Sequence, residues 1–200
     1  MAKLHFILAS QSPRRRELLA EAGYDFEVVR PPVDEPARLG PGQSPTHTAE
    51  ALAYFKAASV QRLRPASLVV GADTVVALGD ELLGKPADAR DARRMLSMLS
   101  GTRHRVITGL AMLLPPRPNG LPGRRLLASE VTCVSMRPIT ADELDEYVAR
   151  GEWRDKAGAY AIQETADRFI TRLEGSWSNV VGLPTELLEQ MLAQAGIREE

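Results

Sequence analysis

Asp73 follows Leu68-Val69-Val70, a run apolar enough for a buried strand. A carboxylate at the end of such a strand stands where open α/β sheets place ligand chemistry. It also suits the cap of a turn. Glu35 lies in a proline-rich loop, where a carboxylate can be plain surface charge. Taken together, Glu35 and Asp73 are hard oxygen ligands of the kind that Mg²⁺ or Mn²⁺ prefers. The basic residues point to an anion. Ser10-Gln11-Ser12-Pro13-Arg14-Arg15-Arg16 leads from a short apolar run into a helix. Ser12 serves as its cap and Pro13 as its first residue. The open backbone N–H groups of that helix start, the Ser10 hydroxyl and the guanidiniums of Arg14 and Arg15 suit a polyphosphate. A capped helix with its arginines in solvent fits the same residues. Lys56 falls on the apolar stripe Ala49, Leu52, Ala53, Ala57, Val60 of a helix predicted over 46–62. It must snorkel, find a buried partner or point into a polar cleft. Lys85 is a cation beside a rigid Gly-Lys-Pro corner.

Other chemistries find little footing. Gly79 to Pro86 nearly spells a phosphate-binding P-loop, but Pro86 stands where a hydroxyl must hold Mg²⁺. Gly79-Asp80 reads instead as a hairpin turn between two short strands. His5, His47 and His104 have no metal-ligand spacing, and there is neither a Gly-x-Ser-x-Gly elbow nor a dinucleotide fingerprint.

These side chains need a scaffold of alternating elements. The patterns predict strands near 4–9, 26–29, 67–78 and 81–83 and helices over 46–62 and 89–99. Long strands at 103–114 and 124–137 flank a Pro/Gly loop at 115–123 and read as an antiparallel pair. A helix at 141–150 starts with the Thr140–Glu143 capping box and stops at Gly151. Extended chain over 158–173 and a last helix at 185–195 follow. The fold class is α/β, with a mixed twisted sheet and flanking helices in a single domain over 1–200.

Composition narrows the partners. The 200 residues are 44% hydrophobic and 26% charged, with a formal net charge of −1. No bulk field draws nucleic acid or an anionic membrane, so any anion site is local. With 5% aromatics and no basic stripe, a nucleic-acid module is not expected. The single cysteine, Cys133, excludes an intrachain disulfide and reads as a buried thiol in a strand. No membrane-spanning run is present, and a cytoplasmic protein is expected.

Six ordered blocks then resemble the Maf family: Leu8-Ala9-Ser10-Gln11-Ser12-Pro13-Arg14-Arg15, Gly71-Ala72-Asp73-Thr74-Val75-Val76, Gly84-Lys85-Pro86, Leu99-Ser100-Gly101-Thr102-Arg103-His104, Asp155 to Gln163 and Gly175 to Pro184. The resemblance implies a nucleoside triphosphate pyrophosphatase that cuts between the α and β phosphates. It also implies an inosine-triphosphate-pyrophosphatase-like fold with two lobes around a cleft, and a homodimer as is common in the family. Asp73 takes the place of the family's general base. Arg14, Thr74 and Gln163 take the positions tied to substrate choice, and their pattern resembles the dTTP/UTP branch. Other readings that the resemblance leaves open are a nucleotide-binding inhibitor of septum formation and a pyrophosphatase for 7-methyl-GTP or noncanonical purine triphosphates.

Chemistry supplies roles for these positions. Ser10, Arg14, Arg15, Lys56 and Lys85 would bind the phosphates, with Glu35 and Asp73 on the metal. The Gln163 amide carries both a donor and an acceptor, matching the O4 and N3–H that uracil and thymine share. Three residues depart from the family pattern: Trp153 for a proline, Glu164 for a glycine beside Gln163, and Trp177 for a tyrosine.

Overall fold

The computed structural model describes residues 4–32, 43–117, 121–163 and 165–197. Phe6, Ile7 and Leu8 bury both faces of β1 (His5–Ala9), as an interior strand requires. Ser12 caps α1 (Pro13–Glu21), with Pro13 at its first turn as the sequence predicts. Then come β2 (Asp25–Val28), α2 (Pro45–Gln61), β3 (Val69–Leu78), β4 (Glu81–Leu83) and α3 (Ala89–Leu99). The long pair β5 (Arg103–Leu113) and β6 (Arg125–Met136) leads into α4 (Ala141–Arg150). Two 3₁₀ turns (Ala157–Ala159 and Thr165–Phe169), β7 (Ile170–Glu174), α5 (Trp177–Val181) and α6 (Thr185–Ala195) complete the order.

The described residues form a seven-stranded mixed sheet in the order β2-β1-β3-β5-β6-β7, with β4 also on β3. β5 pairs antiparallel with β3 from Val69 to Ala77 and with β6 from Arg103 to Leu113. The opposite edge of β3 is shared. β1 runs parallel to it up to Ala9↔Gly71, and β4 takes over only at Val76↔Leu83. Residues 72–75 therefore face a slit in the sheet, and Asp73 and Thr74 lie in it.

Side-chain alternation sends the two to opposite faces. On one face α2 lies flat across β3 and β5, packing Ala53, Ala57 and Val60 on Ile7, Val69 and Ala111. Two glycines allow this contact. A Cβ on Gly71 would sit 2.4 Å from the Ala53 carbonyl oxygen, and one on Gly109 would sit 2.3 Å from the Ala49 carbonyl carbon. The other face carries two separate cores. One joins Ala72 and Leu110 to α1 and α6, the other joins Val76 and Val106 to α3 and α4. Thr74 and Thr108, paired across β3 and β5, form a polar seam between them.

Four expectations change. Residues 158–173 are not continuous extended chain: Gly158 and Ala159 take φ of +68° and +64°, which turns the backbone, and only 170–174 form a strand. The five-residue α5 was too short for periodicity to reveal. The hairpin turn at Gly79-Asp80 is present, but β3 before it is ten residues long. Cys133 is half-buried, because β6 turns that side chain to a face α2 only partly covers. Among the described residues no helix is long and apolar enough to cross a membrane.

Candidate active site

The slit opens into a cavity of about 1050 Å³. The β1–α1 junction brings Ser10, Arg14 and Arg15 to its wall, and β3 brings Asp73 and Thr74. Lys56 reaches it from α2, Lys85 from the corner after β4, and Gln163 from the turn between the two 3₁₀ segments. All eight described positions singled out from the sequence thus meet in one place. Glu35 lies outside the described residues, as does Glu164.

Lys56 neither snorkels nor stands alone. Its Nζ lies 2.5 Å from Asp73 Oδ1, and the two side chains are 10% and 8% exposed. A lysine on an apolar helix stripe is tolerated here because the packed strand supplies a carboxylate opposite it.

Arg14 and Arg15 part company. Arg14 is half-buried in the cavity wall. Arg15 is 8% exposed and acts mainly as a clamp. Its Nε donates to the Gly182 carbonyl at 2.7 Å, and its Nη1 to the Ala72 carbonyl at 2.8 Å and to Ser10 Oγ at 3.3 Å. Nη2 donates to Thr74 Oγ1 at 3.1 Å. The bond to Ala72 satisfies a carbonyl on the slit edge of β3, where β1 no longer supplies a partner. Phosphate binding expected of Arg15 is thus at least partly displaced by protein acceptors. The planar fork joins α1, β3 and the end of α5.

Sequence reasoning passed over several wall residues. Arg30, Arg154, Asp155 and Lys156 also line the cavity. The described lining holds seven basic side chains against the carboxylates of Asp73 and Asp155. A chain of net charge −1 thus concentrates positive charge where an anion would enter. Asp155 and Lys156 open the family-like segment that ends at Gln163, and nothing in their local sequence marks them as cavity residues. Asp155 adopts φ +60°, and with Gly158 and Ala159 it bends the segment that delivers Gln163. Strained non-glycine backbone of this kind gathers at ligand sites. Trp153 is buried just before it, its Nε1 donating to the Val148 carbonyl at 3.0 Å with the Arg154 guanidinium 4.9 Å over its ring.

Behind the wall, a fully buried Asn179 ties β5, β6 and α5 together. Its Oδ1 accepts from the Thr108 N–H at 3.1 Å, and its Nδ2 donates to the Val106 carbonyl and to Thr132 Oγ1. Among the described residues no group of three or more His, Cys, Asp or Glu could hold a metal by itself. Mg²⁺ on a phosphate substrate commonly needs only one or two protein carboxylates, so Asp73, with Asp155 in the same cavity, fits that mode.

Comparison with known proteins agrees with this geometry. A dTTP/UTP pyrophosphatase of Desulforamulus reducens is 44% identical over 191 residues, covering 96% of each chain. One of Anaeromyxobacter dehalogenans is 46% identical over 190 residues, covering 95% of this chain and 93% of its own. The fold is similar to the solved Ham1 protein of Staphylococcus aureus, with a TM-score of 0.53 at 15% identity, covering 96% of this chain and 99% of that one. The family model for Maf-like protein matches residues 5–195, the same span that builds the sheet, the slit and the wall of cations, and the chain belongs to that family.

Proposed function

We propose that the chain is a nucleoside triphosphate pyrophosphatase acting on dTTP and UTP, releasing the monophosphate and pyrophosphate. The observation that carries this reading is the buried Lys56–Asp73 pair in the sheet slit, at the floor of a cavity walled by cations. The dTTP/UTP pyrophosphatases to which the chain is similar support the choice of substrate.

Water attacks the α phosphorus, the bond to the bridging oxygen breaks, and pyrophosphate leaves. Asp73 takes the proton from the attacking water. Lys56 holds that carboxylate in place from α2, which covers its strand. Arg14 and Lys85 face the triphosphate and stabilise the charge that builds on the leaving group. Asp73 would hold a divalent cation, which would neutralise phosphate charge and make the water easier to deprotonate. Gln163, delivered by the turn between the two 3₁₀ segments, pairs its amide with O4 and N3–H of uracil or thymine. A pocket that leaves room for the thymine methyl separates the two by only about 1–3 kcal/mol, so both are accepted. The protein works as a homodimer, which sedimentation of the purified chain tests directly.

The deciding experiment measures pyrophosphate release with Mg²⁺ or Mn²⁺ from dTTP, UTP, CTP, GTP, 7-methyl-GTP and ITP. Turnover of dTTP and UTP that is lost in Asp73→Asn is the expected result. Preference for a purine triphosphate would overturn the substrate assignment, and no turnover by folded protein would overturn the activity.

A further inference from the structure

Two hydroxyls line the cleft beneath the Arg15 guanidinium, and their partners leave them with opposite capacities. Ser10 Oγ accepts from the Ser12 N–H at 3.2 Å and from Arg15 Nη1 at 3.3 Å. A hydroxyl has two lone pairs and one proton, so Ser10 retains its proton. It can donate to a phosphate oxygen. Thr74 is the reverse case. Its Oγ1 accepts from Arg15 Nη2 at 3.1 Å and lies 2.9 Å from Thr108 Oγ1. Thr108 donates its own proton to the Asn179 carbonyl at 3.0 Å. The proton between the two threonines therefore belongs to Thr74. Were Thr108 to donate to Thr74 instead, the Asn179 carbonyl would lose this donor in a residue with no exposure. Such a loss costs more than a neutral exchange of partners returns. Thr74 has a lone pair left to offer, and nothing else.

We infer that Thr108 determines specificity through Thr74: by taking Thr74's only proton, it makes that hydroxyl an acceptor, so the cleft selects nucleotides that present a hydrogen-bond donor there. This rests on the pyrophosphatase reading above. Thr108 is a positioning residue, buried behind the wall and out of reach of substrate. The relay also gives the cleft a polarity. The donor Ser10 suits the phosphate end, and the acceptor Thr74 suits the nucleoside end. On dTTP and UTP the matching donor is the sugar 3′-hydroxyl, since Gln163 already engages O4 and N3–H of the base.

The test compares kcat/KM for dTTP against its 3′-deoxy analogue, which lacks the hydroxyl that meets Thr74, with UTP against CTP, the contrast read by Gln163, as the control arm. The wild type is expected to penalise the donor-less nucleotide by about tenfold or more in the arm that meets Thr74. Thr108→Val keeps the volume but removes the acceptor, which frees the Thr74 proton to turn into the cleft. The penalty in that arm should then shrink by about tenfold, and Thr108→Ser should restore it. A merely structural role would lower thermal stability and leave both ratios unchanged, and that result in folded Thr108→Val would overturn the inference. Thr108→Ala removes the same acceptor with less bulk if the valine protein does not fold. Equal use of dTTP and its 3′-deoxy analogue by the wild type refutes the inference with no variant at all. Absence of any turnover would instead overturn the pyrophosphatase reading and this inference with it.

Discussion

Lys56 Nζ and Asp73 Oδ1 meet at 2.5 Å across the boundary between α2 and β3, with both side chains almost wholly withdrawn from water. The pair joins the Asp73 carboxylate, proposed above as the base, to the helix that covers its strand, so the proposed chemistry and the packing share one contact. Removing one member of a buried pair strands the other charge, at a cost of about 3–5 kcal/mol. Lys56→Met should therefore destabilise the protein in urea unfolding by about 3 kcal/mol. Asp73→Asn should lower turnover by about 10²-fold or more. The double variant should be more stable than Lys56→Met alone, since it removes the stranded carboxylate. Additive losses would mean that the two side chains do not depend on each other.

A second prediction follows from how α2 is seated. Added methyl groups at Gly71 or Gly109 would meet helix backbone at 2.4 Å and 2.3 Å, where no side chain can yield. Gly71→Ala and Gly109→Ala should each destabilise the protein by about 1–3 kcal/mol. They should also lower kcat at temperatures where the protein remains folded, because the displaced helix carries Lys56. Gly84→Ala is the control for stability, since a Cβ there meets nothing within 4 Å. Equal melting temperatures for all three would refute the close-packing account.

Much of this was legible in the residues themselves. Ser12-Pro13, the Thr140–Glu143 box and Gly151, and the Gly79-Asp80 turn act over a few residues and appear where local chemistry places them. The stripe position of Lys56 was a true signal of a buried partner. What stayed hidden depends on long-range register. The slit exists because β1 leaves the edge of β3 before β4 joins it, and nothing near residue 73 reports that. Arg15 reads as a phosphate ligand beside Arg14 until Gly182, 167 positions away, is brought under it. Asn179 sits in a helix of five residues, too short to show a period.

The two neighbouring arginines should separate under mutation. Arg15 uses a planar fork to reach carbonyls and hydroxyls of β3, the β1–α1 junction and the end of α5, and a lysine ammonium cannot reproduce that spread. Arg15→Lys should destabilise the fold by about 2 kcal/mol and weaken nucleotide use as the slit loosens. Arg14→Ala should leave stability within about 0.5 kcal/mol while raising KM for dTTP. Thermal melting and steady-state kinetics on both variants check this, and a reversal of the two patterns would exchange the roles assigned here.

The last prediction concerns pH and a histidine outside the site. His104 is 2% exposed, its Nε2 is 2.7 Å from the Tyr160 hydroxyl, and its Nδ1 has no hydrogen-bond partner. Burial pushes its imidazole down from 6.5 to about 4. The unfolded chain therefore binds a proton at this residue between those two values while the folded chain does not. Stability from this residue is complete above pH 6.5, falls as pH drops from 6.5 to about 4, and changes no further below that. Over that interval the loss amounts to about 3 kcal/mol. His104→Gln removes the titrating group and keeps a side chain that can bond Tyr160. Its unfolding free energy should fall less steeply between pH 6.5 and 4 than that of the wild type, carboxylate titration being common to both. Parallel urea-unfolding curves across that interval would show that His104 is protonated in the fold, with Nδ1 finding a partner that the buried ring now lacks.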